Sequence, residues 1–293
     1  MTDVQGPPPA PDCYRHPGRP ALLRCSRCER PVCGADAIEA PVGYQCPECA
    51  SGAIPARRLR DVVVDARVTK ILLGLIGVAF VVTQVAEPRI LQQFGLVPVA
   101  VGDGAFWLVI TSGFLHSGLM HVAFNGILLW RLGEMLEPAL GHARFAALYL
   151  FGLLGGSLGV VLLAWATVAT PLASIPVLST ALGTHPLSVT VGASGAVFGL
   201  MGAAISGMRV RGVNPWRTDI GSLVLLNLVL TFVIPGISVG GHVGGLLAGM
   251  AAGKLLLVAS RRAITVFVLA GVLFVATITL ANAMNAAILS LLR

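Results

Sequence analysis

Seven stretches of this chain are apolar for about as long as a helix needs to cross the roughly 30 Å hydrocarbon core of a bilayer. They lie near residues 69 to 86, 118 to 137, 145 to 169, 189 to 208, 219 to 235, 237 to 258 and 263 to 289. Inside lipid a backbone N–H or C=O has no water to bond, so apolar segments of this length must close their hydrogen bonds internally, as helices. With 56% hydrophobic and 11% charged residues and a mean hydropathy of +0.85, a soluble domain is excluded. The expectation is an all-α polytopic membrane protein. The start Met1-Thr2-Asp3-Val4-Gln5 lacks the basic and apolar regions of a cleavable signal, which makes the first span the first expected targeting element.

The net charge of +7 invites a nucleic-acid reading, but its distribution argues for topology instead. Basic residues cluster at Arg57, Arg58, Arg60, Arg67 and Lys70, at Arg131 and Arg144, at Arg209, Arg211 and Arg217, and at Lys254, Arg261 and Arg262. The opposite loops, 87 to 117, 170 to 188 and 236 to 241, hold only Arg89. Such a bias places the amino terminus in the cytoplasm and the carboxyl terminus outside, with the arginines of a basic linker, 57 to 69, among anionic head groups. The excess of arginine over lysine suggests a bacterial plasma membrane. No nucleic-acid partner is expected.

Residues 1 to 56 hold all six cysteines, in the order Cys13-x2-His16, Cys25-x2-Cys28, Cys33-x2-Asp36 and Cys46-x2-Cys49. Two intervening residues let a short turn present two ligands to one tetrahedral zinc, and a reducing cytoplasm disfavours a disulfide framework. Pairs one and three are expected to hold one metal and pairs two and four another, an interleaving that resembles a B-box zinc finger. A plainer reading keeps only Cys25, Cys28, Cys46 and Cys49 as a single site. With so little core, such a domain draws much of its folding energy from the metal. Gating activity, recruiting substrate and holding a cytoplasmic partner all suit it.

In the apolar part, His121 and Asn125 stand four apart near the start of span two, so a helix puts both on one face, at the external end. Polar pairs there are costly unless they serve a site. Arg131, Glu134 and Glu137 fall at the inner end, where head groups and loop backbone are expected to satisfy them. Span three carries Gly152, Gly155, Gly156 and Gly159, and span four begins near Gly192-Ala193-Ser194-Gly195. Span six enters from the same side with His242, followed by Gly245 and Gly249. Facing glycine stripes allow backbones to touch, bringing the Ser194 hydroxyl to the His242 imidazole, the minimum for nucleophilic catalysis with a general base. No carboxylate is placed to orient His242, which predicts a dyad with the imidazole held by ring packing.

The external stretch 87 to 117, with Phe94, Leu96, Val97, Phe106, Trp107, Leu108 and Ile110, is expected partly in the outer leaflet. Asn282 and Asn285, near the end of span seven, are expected at the interface.

Between residues 70 and 258 the chain resembles the rhomboid intramembrane serine proteases, through Trp107, His116 to Asn125, Leu132-Gly133-x3-Glu137, Gly192-Ala193-Ser194-Gly195 and Gly241-His242-x2-Gly245-x3-Gly249. The resemblance implies a six-helix core followed by an additional transmembrane helix, 259 to 293. It assigns Ser194 as nucleophile, His242 as base, and His121, Asn125 and the N–H groups of Ala193 and Ser194 to the oxyanion hole. Phe198 takes the place of the aromatic that supports the imidazole, where tyrosine is familiar, and Leu108 replaces a frequent arginine. Substrates would be single-pass membrane proteins cut near the external face, with no cofactor needed for catalysis. An inactive relative that binds membrane helices is the alternative. A transporter would want ionisable residues at mid-membrane, and outside the dyad region the spans supply none.

Overall fold

The computed structural model describes residues 10–40, 43–51, 65–85, 89–170, 185–258 and 262–292. Arg57, Arg58, Arg60, Arg261 and most of the loop after span three lie outside them. The chain divides into two compact units, Met1–Val63 and Val64–Arg293.

The first unit consists of two short antiparallel hairpins and one helical turn. Strand β1 (Leu23–Arg24) pairs with β2 (Pro31–Val32), and β3 (Ile38–Glu39) pairs with β4 (Tyr44–Gln45), followed by α1 (Pro47–Ala50). Its interior is made largely of cysteine: Cys25, Cys46 and Cys49 pack around Val32, and Cys13 and Cys33 around Ala21. A core this small buries little apolar surface.

The second unit is helical. It runs through α2 (Arg67–Val85), the short helices α3 (Arg89–Phe94), α4 (Pro98–Gly102) and α5 (Leu108–Thr111), and then α6 (Leu119–Leu140) and α7 (His142–Ala169). After these come α8 (Ser194–Val210), α9 (Asp219–Val233), α10 (Val239–Gly253) and α11 (Ala263–Leu291). Among the described residues α2, α7 and α11 are long and apolar enough to cross a membrane, while α8 and α9 are apolar but shorter. Each of the seven expected spans overlaps one helix, α2, α6, α7, α8, α9, α10 or α11 in turn. The fourth starts later than its apolar stretch, because Thr190 exchanges backbone hydrogen bonds with Leu96 and Gly192 turns the chain at φ 131°.

At the centre, α7, α8 and α10 meet backbone to backbone. A Cβ on Gly245 would come 2.1 Å from the Gly195 carbonyl oxygen, one on Gly159 2.1 Å from that of Gly240, and one on Gly152 3.0 Å from Gly199 Cα. Without side chains between them the helices gain dense van der Waals contact in a setting where burial from water supplies no drive. The glycine stripes therefore act as expected.

Glu137 differs from expectation. It is fully buried, and neither head groups nor loop backbone satisfy it. Its carboxylate accepts from the first N–H groups of α2, Val68 at 2.8 Å and Thr69 at 2.9 Å, from the Thr69 hydroxyl at 2.7 Å, and pairs with His142 Nδ1 at 2.6 Å. Those N–H groups have no helical partner and carry the positive end of the helix dipole. Gly133, one turn earlier, has no side chain to obstruct Thr69.

Asn285 is tied into the stretch 87 to 117, donating to the Val99 carbonyl at 3.0 Å and to Asp103 Oδ1 at 2.8 Å. The same stretch turns Leu96, Val101, Leu108 and Val109 inward and leaves Phe94, Phe106, Trp107 and Ile110 exposed. Leu108 thus joins the core, and the anchoring comes from Asn285, from Ser157 donating to the Val109 carbonyl at 2.9 Å, and from Thr111 donating to that of Phe94 at 2.7 Å.

Candidate active site

Ser194 is the first residue of α8, whose 17 residues rise about 25 Å, short of the roughly 30 Å hydrocarbon core. The preceding turn is pinned by Gly192 N–H donating to the Ser112 carbonyl at 2.9 Å. A side chain on Gly192 would fill the site: its Cβ would lie 2.7 Å from His121 Nε2 and 3.7 Å from Ser194 Oγ. Those two atoms border the same small space, and Gly192 keeps it open.

His121 is steered into that space by its other nitrogen, with Nδ1 3.2 Å from Ser117 Oγ, and by the edge-on ring of His116 at 4.8 Å. Asn125 lies one turn along α6, buried, with one amide hydrogen donated to the His121 carbonyl at 2.9 Å. The Ala193 N–H is engaged: it points to the fully buried His116 Nε2 at 3.4 Å. The Ser194 N–H, at the first helical position, has no carbonyl a turn earlier to bond.

His242 sits in the first turn of α10, which Ser238 caps by accepting from the Gly241 N–H at 3.1 Å. Gly195, the residue after Ser194, touches Gly245, about one turn along from His242, so hydroxyl and imidazole share one end of the bundle. The imidazole stacks on Phe198, ring centroids 4.1 Å apart and 21° from parallel. Ring packing is not its only hold. Thr231 of α9, 1% exposed, places Oγ1 2.7 Å from His242 Nδ1. Its sequence signal is slight, one polar residue beside Ser222 and Asn227 in a largely apolar stretch. A cavity of about 30 Å³, room for about one water, opens beside Ser194 among Ser112, Ser157, Gly192, Ser238 and Gly241.

In the first unit the four ligand pairs assemble as interleaved sets, Cys13, His16, Cys33 and Asp36 in one and Cys25, Cys28, Cys46 and Cys49 in the other, with each set's donor atoms within 4.8 Å of one another. The spacing suits a tetrahedral ion. Bonds of 2.0–2.3 Å give ligand–ligand edges of about 3.3–3.8 Å, and the observed edges include His16 Nδ1 to Cys33 Sγ at 3.4 Å, Cys13 Sγ to Asp36 Oδ2 at 3.6 Å and Cys28 Sγ to Cys46 Sγ at 3.7 Å. Burial raises the Cys25 thiol, but the backbone N–H groups of Cys46, Arg27 and Cys28 outweigh it and bring it down to about 6; Cys13 falls to about 7 for similar reasons. Burial and the neighbouring thiols push Cys49 up to about 12. A dication offsets this crowding of negative charge. These clusters could bind metal.

A helical bundle with serine and histidine at one end of glycine-packed helices defines a polytopic membrane protein with a built polar site. The Rhomboid domain matches residues 103–259, more than half of the sequence, and the chain belongs to the rhomboid family. It is 34% identical over 140 residues to RHOMBOID-like protein 5 of Arabidopsis thaliana, covering 48% of this chain and 38% of that one. It is 31% identical over 145 residues to Rhomboid protease GluP of Bacillus subtilis, covering 48% and 24%. A further relative, Inactive RHOMBOID-like protein 8 of Arabidopsis thaliana, is 31% identical over 125 residues, covering 43% and 29%. The chain thus spans well under two thirds of these relatives' lengths.

Proposed function

We propose that this chain is an intramembrane serine endopeptidase that cleaves membrane-spanning helices near their external ends. Ser194 Oγ attacks the scissile carbonyl carbon while His242 Nε2 takes its proton, forming the C–O bond of a tetrahedral intermediate. His121, Asn125 and the Ser194 N–H donate to the oxyanion. The C–N bond then breaks as the imidazolium returns the proton to the leaving amine, and water releases the acyl group by the reverse roles. The substrate must present an unwound segment, since a helix hides its carbonyls.

The observation that carries this reading is the way His121 Nε2 and Ser194 Oγ bracket the space above Gly192. The reading places the amino terminus in the cytoplasm, on the basic-rich side, and assigns a structural zinc to each N-terminal cluster. The test is labelling with a serine-reactive fluorophosphonate in detergent, with the adduct mapped by mass spectrometry. Modification at Ser194, lost in Ser194→Ala and His242→Ala, is expected; an unlabelled parent favours a helix-binding relative without activity.

A further inference from the structure

The geometry points to Thr231 as a positioning residue that fixes the tautomer of His242, a third member of the constellation built from a neutral hydroxyl. This rests on the protease reading above. Thr231 Oγ1 lies between two partners, 2.7 Å from the Asn227 carbonyl oxygen on its own helix and 2.7 Å from His242 Nδ1. A carbonyl can only accept, so the single hydroxyl proton goes to Asn227 and the threonine oxygen offers a lone pair to the imidazole. His242 then carries its proton on Nδ1, which leaves Nε2 unprotonated, the state a general base needs. When Nε2 gains the serine proton, the Nδ1–H···O bond stays in place, so the neighbourhood has nothing to rearrange.

The helix is oriented for this contact. Gly221, Val224 and Thr231 are the buried residues of α9, whereas Leu225, Leu226, Val229, Phe232 and Val233 are exposed. In the half of α9 that reaches His242, the residue turned inward is the polar one. Hydrophobic packing would have chosen a leucine or phenylalanine, both of which this helix carries on its outer face. A hydroxyl with no charge stabilises the imidazolium less than an aspartate does, so its effect falls below the roughly 10⁴-fold of a carboxylate triad member.

In the full chain in lipid nanodiscs, Thr231→Val is expected to lower kcat for a reporter membrane helix about 10- to 100-fold with KM unchanged. Thr231→Ser is expected to stay within about 3-fold of the parent, since it restores the oxygen. A second readout needs no turnover: the ¹⁵N shifts of His242 should show the Nδ1–H tautomer in the parent and in Thr231→Ser, and a mixture in Thr231→Val. An unchanged kcat in Thr231→Val, whatever its tautomer, or an Nε2–H tautomer in the parent, overturns the assignment. If Thr231→Val does not fold, the tautomers of the parent and Thr231→Ser decide. A parent with the Nδ1–H tautomer that neither cleaves nor labels at Ser194 sinks the protease reading and leaves the Thr231 contact standing.

Discussion

Gly199 and Gly249 touch backbone to backbone: a methyl group on Gly249 would lie 1.8 Å from the Gly199 carbonyl oxygen. Nothing flexible is available to move aside. Gly249→Ala is expected to destabilise the bundle by about 1–3 kcal/mol, as overpacking does, and to spread α8 from α10, lowering cleavage. Gly271→Ala on α11, where a Cβ meets nothing within 4 Å, is the control. Thermal melts of the two variants in one detergent check this, and equal melting would contradict the packing argument.

His121→Ala should reduce kcat about 10²- to 10³-fold, the usual effect of losing one oxyanion donor, without changing the melting temperature. Steady-state cleavage of a reporter helix measures the first and a thermal ramp the second. A fall in stability equal to that of Gly249→Ala would instead make His121 a packing residue.

Glu137 carries four partners in a buried site, and each group orphaned by its removal costs about 1–3 kcal/mol. Glu137→Ala is therefore expected to lower the melting temperature far more than Glu134→Ala, at an exposed neighbour. Hydrogen exchange should localise the loss to the first turn of α2. Protection there equal to the parent's would refute the capping role.

Asn285→Ala removes two hydrogen bonds to α4 and its following turn. Faster amide exchange across residues 98 to 104 is expected, with α8 and α10 unaffected. Unaltered exchange would mean that the inward residues Val101 and Leu108 hold the stretch unaided.

Elemental analysis of the full chain should find two zinc ions per molecule, falling to one in Cys25→Ser and to one in Cys33→Ser. A parent with a single ion, retained in Cys33→Ser, would restrict zinc to the four-cysteine cluster. One lacking zinc would exclude it from both.

Much of the fold was legible because a bilayer imposes so few solutions. Each of the seven apolar stretches holds one helix, though of unequal length, and the glycine stripes of spans three, four and six identified the three helices that meet. The two-residue spacing marked each cysteine pair as a unit, whereas the interleaving of the pairs came from the resemblance to a B-box and matches the two clusters. Contacts between positions far apart in sequence were harder to see. Nothing in the pattern around Thr231 distinguishes a hydroxyl that bonds its own helix from one that also meets a histidine 11 residues later. The bonds of Asn285 to Val99 and Asp103 could not be read from the sequence, because those partners are nearly two hundred residues away. Glu137 read as an end-of-helix charge because the N–H groups it satisfies belong to another helix, and backbone donors leave no mark in a sequence.

The helices of this bundle are unequal in length. The 29 residues of α11 rise about 44 Å and the 15 of α9 about 22 Å. A slab of hydrocarbon about 30 Å deep cannot match both, so α11 must tilt or protrude, and lipid beside the leucines of α9 must compress. A guest helix approaching along that compressed side would find part of its apolar length already emerging into water.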